Sequence, residues 1–193
     1  MSVFSEMRIK THGIDIPHSP TVDSESLRGS EIMRWIWIDR FVAFESGKSA
    51  RAVKALSRAE DLFAGHFPGY PIMPAALMLE GLAQTGGILV GEARDFREKV
   101  VLAKIPNARF VREVFPGRMV TYDAEILNLR DEGAVVAGKV WLDQELIAEA
   151  EIFFAHLDQS RSQQLFGDQN FVFSGEMKNL LGSARKLSSP PTS

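Results

Sequence analysis

Met73-Pro74-Ala75-Ala76-Leu77-Met78-Leu79-Glu80-Gly81-Leu82-Ala83-Gln84-Thr85-Gly86-Gly87-Ile88-Leu89-Val90-Gly91 is apolar nearly all the way round a helical wheel. Ala75 to Leu79, then Leu82, Ala83, Ile88, Leu89 and Val90, leave no water-facing stripe, and a helix hydrophobic on every side is a buried helix. Pro74 suits the start, because a first-turn proline gives up no helical hydrogen bond. Gly81, Gly86 and Gly87 lower intrinsic helicity, so they predict close packing against a neighbour.

The flanks read as strands. Downstream, Val100–Ile105 and Ala108–Val114 precede a turn at Pro116-Gly117. Met119–Leu127 alternates, with Val120, Tyr122, Ala124 and Ile126 on one face and Thr121, Asp123 and Glu125 on the other. Arg130-Asp131-Glu132-Gly133 turns the chain into Ala134–Leu142, and Asp143-Gln144-Glu145 turns it again into Leu146–His156. Upstream, Trp35-Ile36-Trp37-Ile38 is β-rich, and Glu45-Ser46-Gly47 turns into Lys48–Ser57. Short connections between alternating strands predict antiparallel pairing with one wet face. The expected architecture is α+β, a curved antiparallel sheet wrapped around one buried helix. It occupies residues 31–157, with an N-terminal extension over 1–30 and a polar C-terminal extension over 158–193 in which Phe171–Leu181 forms a short docked element.

Composition narrows the function. A chain of 193 residues that is 45% hydrophobic has material for one ordinary core. The absence of cysteine excludes disulfides, thiolate nucleophiles and cysteine metal sites. A formal charge of −3 gives no electrostatic reason to expect nucleic acid. No apolar run approaches the ~20 residues of a membrane span, and Met1–Lys10 lacks a secretory apolar stretch, so a cytoplasmic protein is expected.

One constellation carries chemistry. Gly65-His66-Phe67-Pro68-Gly69-Tyr70-Pro71-Ile72-Met73-Pro74 runs straight into the helix, and its three prolines and two glycines make a stiff loop that holds His66 just ahead of a helix start. Glu80 lies inside the helix, with Gln84 one turn later on the same face. Burying an ionised, unpaired carboxylate would cost several kcal/mol, roughly, so Glu80 must be partnered or protonated, and a protonated carboxyl is a proton donor. His66 has the side chain suited to the complementary role of acceptor. Backbone N–H groups around Ala75 lack helical partners and form a site for developing negative charge on an oxygen. Base, acid and oxyanion donor beside an apolar helix point to proton chemistry α to a carbonyl on a lipid-like substrate. Taken singly, a histidine in such a loop is commonly structural, Glu80 could be a satisfied core acid or emerge at a subunit contact, and Gln84 reads as support. His12, His18 and His156 have no partner pattern. His66 and Glu80 are not spaced as a helical ligand pair and nothing offers a third ligand, so neither metal nor cofactor is expected.

The run from His66 to Gln84 resembles the signature of the (3R)-3-hydroxyacyl-acyl-carrier-protein dehydratases, hotdog-fold enzymes of type II fatty acid synthesis. Asp39-Arg40 resembles the family's first-strand pair, Ala108-Arg109-Phe110 with Pro116-Gly117 its next block, and Ala148-Glu149-Ala150-Glu151 its last strand. The resemblance implies that His66 takes a proton from C2 of the acyl chain, that Glu80 helps the C3 hydroxyl leave as water, and that the Ala75 N–H polarises the thioester carbonyl. It implies that Phe67, Gly69, Gln84 and Phe110 line the substrate site. It also implies a homodimer in which histidine and acid come from different subunits, and it leaves open whether the assembly stops at the dimer or is a trimer of dimers. The partner is acyl carrier protein with its phosphopantetheine-linked acyl chain. Glutamate at position 80 resembles the branch that dehydrates without isomerising. Ala75-Ala76 departs from the family's Gly-Val, although alanine keeps the N–H donor. Arg109, Arg112 and Arg118 are candidates to greet an acidic carrier or are a solvated strand face.

Two other readings compete. A hotdog thioesterase would need a water-activating carboxylate and does not call for the His66–Glu80 pairing. A non-catalytic acyl-binding subunit would keep the tunnel and bind carrier protein without turnover, which the retention of both proton-transfer residues argues against.

Overall fold

Period-two patterning sets the strands in the computed structural model, which describes residues 36–157 and 179–182. In β4, Met119–Arg130, Val120, Tyr122 and Ala124 are buried while Glu125 faces solvent. In β6, Glu145–Leu157, Ala148, Ala150, Ile152 and Phe154 are buried, and Glu149 and Glu151 alternate with them toward the other face. β5, Gly133–Leu142, hydrogen-bonds both neighbours, and β2, Ser49–Ala55, joins β4 on its far side to β1, Arg40–Glu45. β3, Lys99–Phe110, completes the other edge beside β6. The result is one six-stranded sheet in the order β1-β2-β4-β5-β6-β3, with every pair antiparallel.

Register shifts at Phe41/Ala43, Leu102/Lys104, Lys104/Asn107, Ile126/Asn128 and Val140/Trp141 bend the sheet. Its hollow holds α2, Ala75–Glu92, which packs on β2, β3, β4, β5 and β6. This is the hotdog arrangement. The helix glycines serve contact: a Cβ on Gly81 would lie 2.2 Å from the Tyr122 ring, and one on Gly86 would lie 3.2 Å from both Phe154 and Val136. Thr85, fully buried, satisfies its hydroxyl by donating to the Gly81 carbonyl at 2.7 Å.

Three expectations need correction. Trp37 and Ile38 are not in a strand, because their backbone N–H groups are taken by a side chain of α2, and strand geometry begins at Arg40. Asp39 accordingly precedes the first strand instead of lying in it. Val100–Ile105 and Ala108–Val114 are not two strands. β3 runs unbroken through Pro106 and stops at Phe110, since an edge strand tolerates a missing N–H and two register shifts absorb the ring. The helix is not buried on every side either. From Thr85 to Gly91 it is fully covered, whereas Ala75 and Ala76 are exposed and Leu77 and Leu79 only half-covered. The helical turn at 179–182 buries Leu181 in the core. The expected extension 1–30, Trp35, His12, His18 and the rest of 158–193 lie outside the described residues.

Candidate active site

The His66 loop is built from turns. A single helical turn, α1 at Leu62–Gly65, ends where the His66 N–H donates to the Leu62 carbonyl at 3.1 Å, an element with no periodic signal in the sequence. Phe67 and Tyr70 then exchange backbone hydrogen bonds of 3.0 and 2.9 Å, a tight turn that puts Gly69 at φ +78°, where glycine is at ease. The Ile72 N–H returns to the His66 carbonyl at 2.9 Å, and the Met73 N–H ties the loop to the Val114 carbonyl at 2.8 Å. Half-buried, the His66 ring places Nδ1 3.0 Å from the Ile72 carbonyl oxygen. A carbonyl only accepts, so Nδ1 carries a proton, and in the neutral tautomer the lone pair is on Nε2. The Phe67 ring stacks on His66 with centroids 4.2 Å apart and stays 51% exposed. The peptide between them is cis.

The start of α2 is open. Pro74 precedes it in an extended conformation, ψ 134°, no side chain caps it, and its first turn holds no acid. The Leu77 N–H is taken by the Pro74 carbonyl at 2.9 Å, whereas the Ala75 and Ala76 N–H groups have no intrahelical partner. Ala75 is helical and is not among the residues with positive φ, so its methyl group adds no backbone strain.

Glu80 is held through Gln84. The buried Gln84 side chain accepts backbone N–H bonds from Trp37 at 2.8 Å and Ile38 at 3.4 Å through Oε1, and donates from Nε2 to Glu80 Oε1 at 2.7 Å. Two N–H groups require the carbonyl end, which fixes the amide and points its NH2 at the acid. Trp37 is anchored in turn, its indole N–H donating to the Tyr122 hydroxyl at 2.8 Å. Burial pushes the fully enclosed Tyr122 phenol above its ordinary range. The 36–38 segment is a support that local sequence reading missed, because its partner lies 47 residues away.

Among the described residues, no hydrogen bond or ion pair joins His66 to Glu80 within one chain; each is bound to its own neighbour. Phe110, at the end of β3, is 40% exposed. The arginine candidates are occupied: Arg109 meets Glu149 at 3.1 Å, Arg112 meets Glu145 and Arg118 meets Asp143. His156 is a partnered core histidine, contrary to expectation, with Nδ1 3.1 Å from the Asp131 carbonyl and 3.2 Å from Glu98. No group of three or more His, Asp or Glu side chains among the described residues could hold a metal ion.

The FabA-like domain family matches residues 32–151. A 3-hydroxyacyl-acyl-carrier-protein dehydratase FabZ from Pelotomaculum thermopropionicum is 39% identical over 122 residues, which cover 63% of this chain and 87% of the relative. The enzyme of that name from Listeria welshimeri is 39% identical over 125 residues, covering 64% and 87%. Among solved structures, smu.793 from Streptococcus mutans bound to acetyl CoA superposes with a TM-score of 0.54 at 12% identity, covering 67% of this chain and 97% of the other. PA5202 from Pseudomonas aeruginosa gives 0.51 at 21% identity, covering 61% and 87%. At those identities the likeness is one of fold.

Proposed function

Because the chain belongs to the FabA-like family of 3-hydroxyacyl-acyl-carrier-protein dehydratases, we propose that it removes water from (3R)-3-hydroxyacyl-acyl-carrier-protein in fatty acid biosynthesis, giving the trans-2-enoyl thioester. His66 Nε2 takes the C2 proton while the thioester oxygen, gathering negative charge, is held by the Ala75 N–H. The electron pair left at C2 becomes the C2–C3 double bond as the C3–O bond breaks, and Glu80 protonates the departing hydroxyl to water. Return of the captured proton from His66 to Glu80 restores both groups. The observation that carries this reading is the bond from His66 Nδ1 to the Ile72 carbonyl, which leaves Nε2 as the acceptor.

The site is completed across a homodimer, His66 from one subunit facing Glu80 of the other, with the acyl chain along the interface against Phe67, Gly69, Gln84 and Phe110. Support comes from the exposed Ala75 and Ala76, the half-covered Leu77 and Leu79 and the open edge of β3. No helix among the described residues is long and apolar enough to cross a membrane. A carrier-bound substrate supports the reading of a cytoplasmic enzyme.

Turnover of a (3R)-3-hydroxyacyl-carrier-protein, followed by mass, tests the reading. Enoyl product is expected, with a loss of roughly 10²–10⁴-fold in His66→Ala. Mixed dimers of His66→Ala and Glu80→Ala protomers should regain one working site. Free acid as product would mean thioesterase, and undiminished activity in His66→Ala would remove the assigned base.

A further inference from the structure

Resting on the dehydratase reading, we propose that the hollow beside the His66 loop receives the phosphate-bearing arm of the substrate, with Arg58 contacting its phosphodiester. The hollow, about 660 Å³ and open to solvent, is lined by Leu56, Ser57, Arg58, Pro71, Phe115 and Pro116. Backbone bonds frame it, from the Leu56 N–H to the Arg118 carbonyl and from the Gly117 N–H to the Leu56 carbonyl, each 2.8 Å. Pro71 belongs to the loop that carries His66, and Phe115 meets the Tyr70 ring edge-on at 5.2 Å, so the hollow adjoins that loop.

Its polar groups can all donate. No carboxylate lines the wall, and among the described residues no acid lies within ion-pair distance of the exposed Arg58, whereas Arg109, Arg112 and Arg118 all carry acids. Ser57 Oγ accepts from the Ala59 N–H at 3.2 Å, which leaves its O–H free to donate outward. A free guanidinium with a hydroxyl beside it suits a phosphate, since the planar fork reaches two of its oxygens at once. Leu56, Pro71, Phe115 and Pro116 supply the apolar wall that the dimethyl segment of a phosphopantetheine arm would cover.

The test compares kcat/KM of wild type and Arg58→Ala on one 3-hydroxyacyl group linked as thioester to carrier protein, to coenzyme A and to N-acetylcysteamine. The first two carry phosphate on the arm and the third does not. Loss of the charge-assisted contact predicts a fall of at least about 10-fold on both phosphate-bearing substrates, mostly through KM. N-acetylcysteamine turnover should stay within about 2-fold. Arg58→Lys should recover part of the loss, because a point charge replaces the fork. Equal losses on all three substrates would make Arg58 structural; a loss on carrier alone would mean it meets the carrier's surface. No loss anywhere would leave the hollow unused. Each of those results overturns the proposal while leaving the dehydratase reading standing. Absence of enoyl product from all three with wild type would sink that reading, and this inference with it.

Discussion

The two halves of α2 are made of similar residues and do different work. From Thr85 to Gly91 every residue is buried against the chain's own sheet, with Gly86 letting Phe154 and Val136 close in. From Ala75 to Glu80 the helix is only partly covered, its first N–H groups are uncapped, and its one carboxylate is held by a bond one turn away. The contrast separates what folds the chain from what, on the proposed mechanism, meets the substrate. Close packing fixes the axis of the C-terminal half, and the N-terminal half can then present donors and an acid at fixed positions without being consumed by the core.

That separation can be broken by substitution. The largest effect should come from Glu80→Ala, which removes the acid of the less covered half: turnover should fall roughly 10²–10⁴-fold while the melting temperature stays close to that of wild type. A comparable loss of stability would mean that the N-terminal half is core after all. In the other half, Gly86→Val forces a branched side chain against Phe154 and Val136 and should cost about 1–3 kcal/mol, read from denaturant midpoints, with kcat of the folded enzyme little changed. A selective loss of kcat there would show the halves to be coupled. The smallest effect belongs to Ala75→Gly. The donor N–H survives, so activity should stay within about 3-fold of wild type, and stability should drop by no more than roughly 1 kcal/mol, the helix propensity difference. A large gain in turnover would mean that the methyl group obstructs the thioester.

Much of this was legible in the sequence because it is local. The alternation in Met119–Leu127 carries into β4 with Val120, Tyr122 and Ala124 inward, and the glycines of the helix mark close approach, as their low helix propensity suggested. The Pro/Gly loop does hold His66 ahead of a helix start. What escaped depends on distant partners. Trp37 and Ile38 have strand composition, yet Gln84 captures their N–H groups and strand geometry starts only at Arg40. Val100–Ile105 and Ala108–Val114 read as two strands, but the place of Pro106 on an edge strand with register shifts lets β3 continue. The arginines resembled a free basic surface until the fold set Glu149, Glu145 and Asp143 against them. Composition also could not tell apolar surface meant for the chain's own core from apolar surface left half-covered, which is why the whole helix read as buried.

The bond from Gln84 to Glu80 has a directional consequence. Hydrogen-bond polarity runs one way, from the backbone N–H groups of residues 37 and 38 into the amide oxygen and out through the amide nitrogen into Glu80 Oε1. An amide NH2 only donates, so Oε1 is committed as an acceptor and cannot aim a proton along that line. When Glu80 is protonated the hydrogen belongs on Oε2. The glutamine thus breaks the symmetry of the carboxyl group, reserving one oxygen as a hinge pin and leaving the other as the atom that would deliver a proton in the proposed reaction.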